Sequence, residues 1–201
     1  MFNKIKIIPE QNKKYFTGYP NNVCVVGVQV DDKKNFMPAA WNVGLSYNPF
    51  LYGVSVGTDR YTHELLNQAD CFTVNFFDFK HVSTIRSLGR SSGSEIDKEK
   101  EFNLPISKSD KIDAPIIDSA YCTLECIKKN QITIGDHTLF VGEVISITVD
   151  KEIYNGEYGT LDTNVISPLG YLGIDNYITL DHNSRTSLKK LPMHYRENKL
   201  R

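Results

Sequence analysis

No stretch of about 18 consecutive apolar residues occurs in this sequence, so a membrane-spanning helix is not expected. The basic N-terminus, MFNKIKIIPEQNKK, lacks the apolar centre of a secretory signal, which makes the cytoplasm the expected compartment. An excess of one charge is also missing: 23 Lys and Arg stand against 24 Asp and Glu, a formal net charge of −1. Nonspecific nucleic-acid binding relies on a basic field that this balance does not supply, so no nucleic-acid partner is expected. Cysteine is scarce, and Cys24, Cys71, Cys122 and Cys126 form no C-x-x-C pair. Cys122 and Cys126 share the alternating stretch AYCTLECIKK. Four residues along a strand separate two Cα atoms by about 13 Å, whereas a disulfide spans roughly 4.4–6.8 Å. The four are therefore expected to be ordinary buried thiols.

Familiar catalytic signatures are equally thin. There is no P-loop and no H-E-x-x-H, and the G-x-S-x-G of a hydrolase elbow is not expected either. The glycines at 89 and 93 follow a predicted helix and open a polar loop, which is not the Rossmann order. The histidines at 63, 81, 137, 182 and 194 show no metal-ligand spacing within one element, and no metal is expected. The enzyme options narrow to chemistry carried by a bound cofactor.

What is present is a chain of 201 residues, 40% hydrophobic and 23% charged, the length and balance of about one globular domain. Short β-rich stretches alternate with turn signals: NVCVVGVQV, then a polar turn DDKKN, then FMPAAWNVG, FLYGVSVG and CFTVNFF. RYTHELLNQA predicts a short helix with Leu65, Leu66 and Ala69 on one face, and HVSTIRSLG a second one ending at Gly89. Residues 89–113 read as a long polar surface loop with one helical turn around Glu95–Glu101. Strand pattern resumes in AYCTLECIKK and DHTLFVGEVISITVD, the latter with a break near Gly142 that suggests a bulge. Six or so strands with few short helices and no βαβ rhythm predict a mainly β fold, an antiparallel barrel with helical decoration. The domain is expected to run over 1–184. Residues 185–201 form a basic tail, readable as an anionic-partner contact or as a solvated terminus.

Three segments stand out. MPAAWNVGLSYNPFLYGVSVG reads as a strand with the only Trp, a polar crossover containing Ser46 and Pro49, and a second strand. Ala39 and Ala40 would let a planar ligand approach the backbone; the plainer reading is a hairpin around a core tryptophan. In GTDRYTHELL, Arg60 and Thr62 stand at a helix N-terminus, where guanidinium, hydroxyl and backbone donors suit a phosphate. The plainer reading there is that Asp59 or Thr62 caps the helix. GDHTLFVGEV reads as a turn feeding a strand, with His137 at the turn.

Taken in order, AAWNVGLSYNPFLYGVSVG, RYTHELL, CFTVNFF, GRSSGSEIDK, LEC and GDHTLFVGEV resemble the flavin reductase-like family of FMN-binding split barrels, including the flavoredoxins. The resemblance extends through ISPLGYLGIDNYITLD and covers most of residues 15–181. One departure is Pro38, where many members carry a threonine; it removes a hydroxyl and a backbone donor beside the expected flavin. The resemblance implies an antiparallel Greek-key split β-barrel with a few flanking short helices, a homodimer, and FMN near the subunit interface. It places Ala40, Trp41, Asn42 and Ser46 against the flavin ring, and Arg60, Thr62, Ser92, Gly93 and Lys98 around its phosphate. His137 would approach the ring side, where a nicotinamide or another electron partner enters. An oxidoreductase taking hydride from NAD(P)H is the expected activity; the alternative is a noncatalytic FMN electron carrier fed by a protein donor. The late aromatics Tyr171, Leu172 and Tyr177 are expected to cover a second subunit.

Overall fold

Period-two patterning and β-branched residues yield strands throughout the computed structural model, which describes residues 16–156 and 159–184. In chain order they are β1 (Asn21–Asn22), β2 (Cys24–Val30), β3 (Lys33–Ala39), β4 (Asn42–Tyr47), β5 (Phe50–Gly57) and β6 (Cys71–Phe76). There follow β7 (Ile106–Lys108), β8 (Pro115–Ile117), β9 (Cys122–Ile134), β10 (His137–Val149), β11 (Tyr154–Asn155), β12 (Thr160–Leu161), β13 (Gly170–Gly173) and β14 (Asn176–Ile178). Three helices intervene: α1 (Tyr61–Gln68), α2 (Val82–Arg90) and α3 (Lys98–Glu101). The basic tail 185–201 lies outside the described residues.

Seven strands make one antiparallel sheet in the order β3-β2-β6-β9-β10-β5-β4. Its edge strands are β3 and β4, which are consecutive in the chain and separated only by Ala40 and Trp41. Three Cα steps reach at most about 11 Å, so the sheet must roll until its two edges meet. At that seam Asn42 Nδ2 donates to the Ala39 carbonyl at 2.8 Å, while the Ser55 amide of β5 holds the Trp41 carbonyl of the link at 2.8 Å. No ladder joins β3 to β4, so the barrel is split along this line. The non-sequential neighbours β2–β6, β6–β9 and β10–β5 give the Greek-key connectivity. Pro38 sits on the edge strand β3, the position in a sheet where a missing N–H is tolerated.

Strand β2 is buried on both faces. Cys24, Val26 and Val28 join a cluster with Val54, Phe72, Phe140 and the α1 residues Leu65 and Leu66. Val25 joins a second cluster with Phe36, Leu169 and the α2 residues Ile85 and Leu88. Both helices are thereby fixed against the sheet, and the cleft described below lies between them. All four cysteines are free; Cys24 and Cys126 are buried, Cys71 and Cys122 half-buried.

Several boundaries differ from expectation. The turn after β2 is only Asp31–Asp32, with Asp31 at φ 52°, and Lys33, Lys34 and Asn35 already belong to β3. The expected strand FMPAAWNVG is two strands, with Trp41 in the break between them. Ser46 is not in a crossover but within β4 of a tight hairpin. Trp41 is 49% exposed, so the hairpin holds no core tryptophan. Helix α2 runs one residue past Gly89, and the polar loop contains α3 and β7.

The break near Gly142 is real: the β9–β10 register shifts between Val141 and Gly142. A β-carbon there would lie 2.6 Å from Cys126 Cβ and 2.7 Å from Phe72 Cζ. Overpacking a filled core costs typically 1–3 kcal/mol. Gly142→Ala is expected to lower the unfolding free energy by about that amount in urea titration; an unchanged midpoint would mean the sheet relaxes freely at the bulge.

Candidate functional site

The rolled edge of the sheet, α1, α2 and the loop leading to α3 enclose a cleft of about 660 Å³. Of the residues singled out in the sequence, it brings together Ala40, Trp41, Arg60, Thr62, Ser92, Gly93, Lys98 and His137. Asn42 and Ser46 do not line it. The Asn42 amide is occupied in holding the seam: Nδ2 donates to the Asn22 and Ala39 carbonyls, and Oδ1 accepts from Tyr52 Oη at 2.6 Å.

Helix α1 begins at the cleft. Arg60 is its N-cap residue, and no side chain caps the helix, so neither Asp59 nor Thr62 serves that purpose. The Arg60 guanidinium is 62% exposed and lies 3.4 Å from Asp59 Oδ1. Thr62 is 1% exposed, and its hydroxyl oxygen accepts a hydrogen bond from Asn35 Nδ2 at 2.8 Å.

Lys98 belongs to the segment expected to be a surface loop, yet it is only 4% exposed. Its Nζ donates to the Phe36 carbonyl at 2.9 Å and the Leu88 carbonyl at 2.8 Å. No carboxylate among the described residues lies within ion-pair distance of it. Burial pulls its ammonium down from the ordinary lysine range to about 8, and neighbouring Arg60 adds to the effect. The loop above is shaped by Ser92, whose carbonyl accepts from the amides of Glu95 and Ile96, and by Gly93. A β-carbon at Gly93 would lie 2.7 Å from Asn35 Cγ and 3.1 Å from the Tyr61 ring. Only glycine lets the loop close this tightly.

Elsewhere in the cleft, His137 opens β10 and packs against Trp41, ring centroids 4.6 Å apart and planes tilted by 41°. Its Nδ1 lies 2.7 Å from Asp136 Oδ1, an interaction that holds the Asp136 carboxyl below the usual range. With Nδ1 engaged as donor, Nε2 is left as the open ring nitrogen. Trp41 Nε1 donates to Tyr19 Oη. Tyr171 lines the same cleft and meets the rings of Phe16, Tyr19 and Tyr177.

Sequence reasoning missed Asn35, Arg90, Tyr19 and Tyr171 as cleft residues. Asn35 was absorbed into an expected turn. Arg90 is held by Asp175 of the β13–β14 hairpin, a contact no local pattern announces. The string Gly89-Arg90-Ser91-Ser92-Gly93 does have G-x-S-x-G spacing, contrary to expectation. It follows a helix instead of joining a strand to one, and Ser91 Oγ donates to the Ser87 carbonyl, so it is no nucleophile elbow. Among the described residues no group of three His, Cys, Asp or Glu could hold a metal, and no helix is long and apolar enough to cross a membrane.

Comparison with known proteins agrees with this architecture. Residues 16–173 match the model of the flavin reductase like domain. A structure of an FMN-binding protein from Thermus thermophilus, with bound 1-cyclohex-2-enone, is 31% identical, covers 93% of this chain and 99% of its own, and superposes with a TM-score of 0.80. Flavoredoxin from Methanosarcina acetivorans is 26% identical over 98% of each chain, with a TM-score of 0.79. An NADH-dependent FAD reductase from Streptomyces globisporus is 28% identical over 139 residues, 69% of this chain and 75% of that protein. The chain belongs to the flavin reductase-like family.

The buried ammonium makes a prediction on stability. Below pH 8 Lys98 is charged in both folded and unfolded chains, and its burial penalty is fully present. As pH rises from about 8 toward the unfolded value of about 10.4, only the folded chain has released the proton. Its stability therefore rises relative to a variant without the group. The unfolding free energy of wild type minus that of Lys98→Met is expected to increase across this window in the absence of ligand. A flat difference would show that the amine is solvated.

Proposed function

We propose that this protein is an FMN-dependent oxidoreductase of the flavin reductase type, taking hydride from NAD(P)H and passing electrons to an acceptor. The observation that carries the reading is the buried, carboxylate-free Lys98 in one cleft with Arg60, Thr62 and the Gly93 loop. That donor set fits a phosphate: one buried ammonium, one guanidinium, a hydroxyl and a loop that tolerates no side chain. The cleft volume lies within the range of roughly 300–1,000 Å³ typical of ligand sites. The FMN-binding, flavoredoxin and NADH-dependent reductase names of the relatives support the same reading.

FMN supplies the hydride- and electron-accepting centre, so the protein's work is binding, orientation and electrostatics. Lys98 and Arg60 neutralise the phosphate. The Ala39–Ala40 backbone and the Trp41–His137 ring pair form walls against which a flat ring can lie. His137 Nε2, oriented by Asp136 on the opposite ring nitrogen, is placed to accept a hydrogen bond or proton at the ring side. The thiols form no disulfide, which suits a reducing compartment, and we retain the cytoplasm as the proposed location.

Riboflavin, lacking the phosphate, is the control. A hydrogen bond to a charged group contributes about 1.5–3 kcal/mol, and each 1.4 kcal/mol is about tenfold. Lys98→Met is expected to weaken FMN binding by about 10- to 150-fold, measured by fluorescence quenching, and to leave riboflavin nearly unchanged. Arg60→Ala should act in the same direction but less, because its guanidinium is solvated. Protein that takes up no flavin would overturn the proposal. Anaerobic stopped-flow bleaching of the loaded protein by NADH or NADPH is expected; loading without bleaching would instead favour the electron carrier.

We also propose a homodimer, on a different surface from the one the sequence suggested. Of the three residues expected there, Tyr171 and Tyr177 pack within their own chain and Leu172 alone is exposed. A larger apolar hollow of about 960 Å³ lies between β10 and the segment from β11 to β14. Ile147 (50% exposed), Tyr154 (49%) and Leu180 (54%) line it. Exposed apolar patches of this kind mark interfaces. Sedimentation should report a dimer at micromolar concentration, and Ile147→Asp a monomer; a monomeric wild type would refute it.

A further inference from the structure

Among the described residues, one buried side-chain polar atom has no hydrogen-bond partner: Asn35 Oδ1. Asn35 is 2% exposed and lines the cleft beside Thr62, Gly93 and Lys98. A buried unpaired carbonyl is unusual and calls for a physical reason. Its own Nδ2 donates to Thr62 Oγ1 at 2.8 Å, while Oδ1 is pressed against the place where a Gly93 β-carbon would be.

The amide has two orientations. In one, Nδ2 donates to Thr62, occupying a lone pair of the hydroxyl. Thr62 then cannot give its own proton to Asn35 and keeps it for another acceptor. In the other, Thr62 donates to Oδ1 and its proton is withdrawn from the cleft. In the first, which is the one observed, Oδ1 is the atom left unpaired, facing Gly93. The first orientation alone leaves a buried hydroxyl proton available beside Lys98.

We infer that Asn35 is a positioning residue: it aims the Thr62 hydroxyl proton at an anionic phosphoryl oxygen held in the cleft. This rests on the phosphate reading given above and deepens it. Asn35 acts through Thr62 and needs no contact with the ligand itself. Its distance from Thr62 is 27 residues in sequence, so the pair also locks β3 to the start of α1.

The test is a double-mutant cycle on flavin affinity, with melting temperature recorded for each variant. Wild type should bind FMN more tightly than riboflavin. Equal affinity would refute the phosphate reading and this inference with it. Asn35→Leu should weaken FMN about two- to tenfold, part of the charge-assisted Thr62–phosphate hydrogen bond being lost with its aim, with riboflavin unchanged. In a Thr62→Val background the same substitution should add nothing. Equal losses for both flavins, or full additivity with Thr62→Val, would reduce Asn35 to a structural role while the phosphate reading stood.

Asn35→Asp keeps the shape and guards against a misfolded leucine variant. An acid there accepts only, so it captures the Thr62 proton and adds a charge near the phosphate. It is expected to weaken FMN more than tenfold and riboflavin little; FMN affinity within twofold of wild type would overturn the inference.

Discussion

The contact on which the site depends is the Lys98 ammonium bonded to two main-chain carbonyls, those of Phe36 and Leu88. Leu88 lies in the last turn of α2, where carbonyls lack helical partners and carry the negative end of the dipole. Phe36 lies on the edge strand β3. One side chain from α3 thus ties a helix end to a sheet edge, and the loop carrying Ser92 and Gly93 is closed between them. An ammonium has three N–H donors, of which two serve these carbonyls. Burying an ammonium without a carboxylate is unfavourable, and under that condition an anion bound beside it gains most.

The barrel seam explains why these pieces meet. Strands β3 and β4 must end within a few residues of one another, so the sheet rolls and brings β3 toward β5 and α1. The residues that close the roll also wall the cleft. Ala40 and Trp41 form the link, Asn35 and Phe36 face α1 and α3 from β3, and Ser55 pairs with the link from β5. Fold and site share one constraint, which is why strand character breaks at the link, where Ala40 meets Trp41.

Most of the strands, both longer helices and the bulge at Gly142 were legible, since each is written in local periodicity or turn chemistry. Arg60 and Thr62 were singled out at a helix N-terminus, Gly93 and Lys98 and the role of His137 came through a family resemblance, and all five line one cleft. Composition alone could not have found them. A lysine among Glu99, Lys100 and Glu101 looks solvated, and only the long-range carbonyls of Phe36 and Leu88 reveal it as buried. Asn35 failed for the opposite reason: beside Asp31, Asp32 and two lysines it has turn composition, and its burial follows from Thr62, 27 residues away. Asn42 and Ser46 were placed at the ring by the same resemblance, but the β4–β5 pairing and the seam hydrogen bonds leave them outside the cleft lining.

The charges around the cleft are unequal in what they can give a ligand. Arg60 already has Asp59 beside it, and both are exposed, so water and the carboxylate screen its pull. Arg86 and Arg90 share Asp175, which pins the β13–β14 hairpin to α2 and spends their charge on structure. Lys34 is paired with Glu99. Lys98 is the buried cation with no such partner among the described residues, and it lies in low-dielectric surroundings where charge pairs are strongest. Discrimination for an anion therefore resides less in the number of cations than in the one left uncompensated. On the proposed reading, a neutral ligand of the same shape would leave that charge uncompensated and a phosphate-bearing one would pair it, so the preference would rest on Lys98 more than on the exposed Arg60.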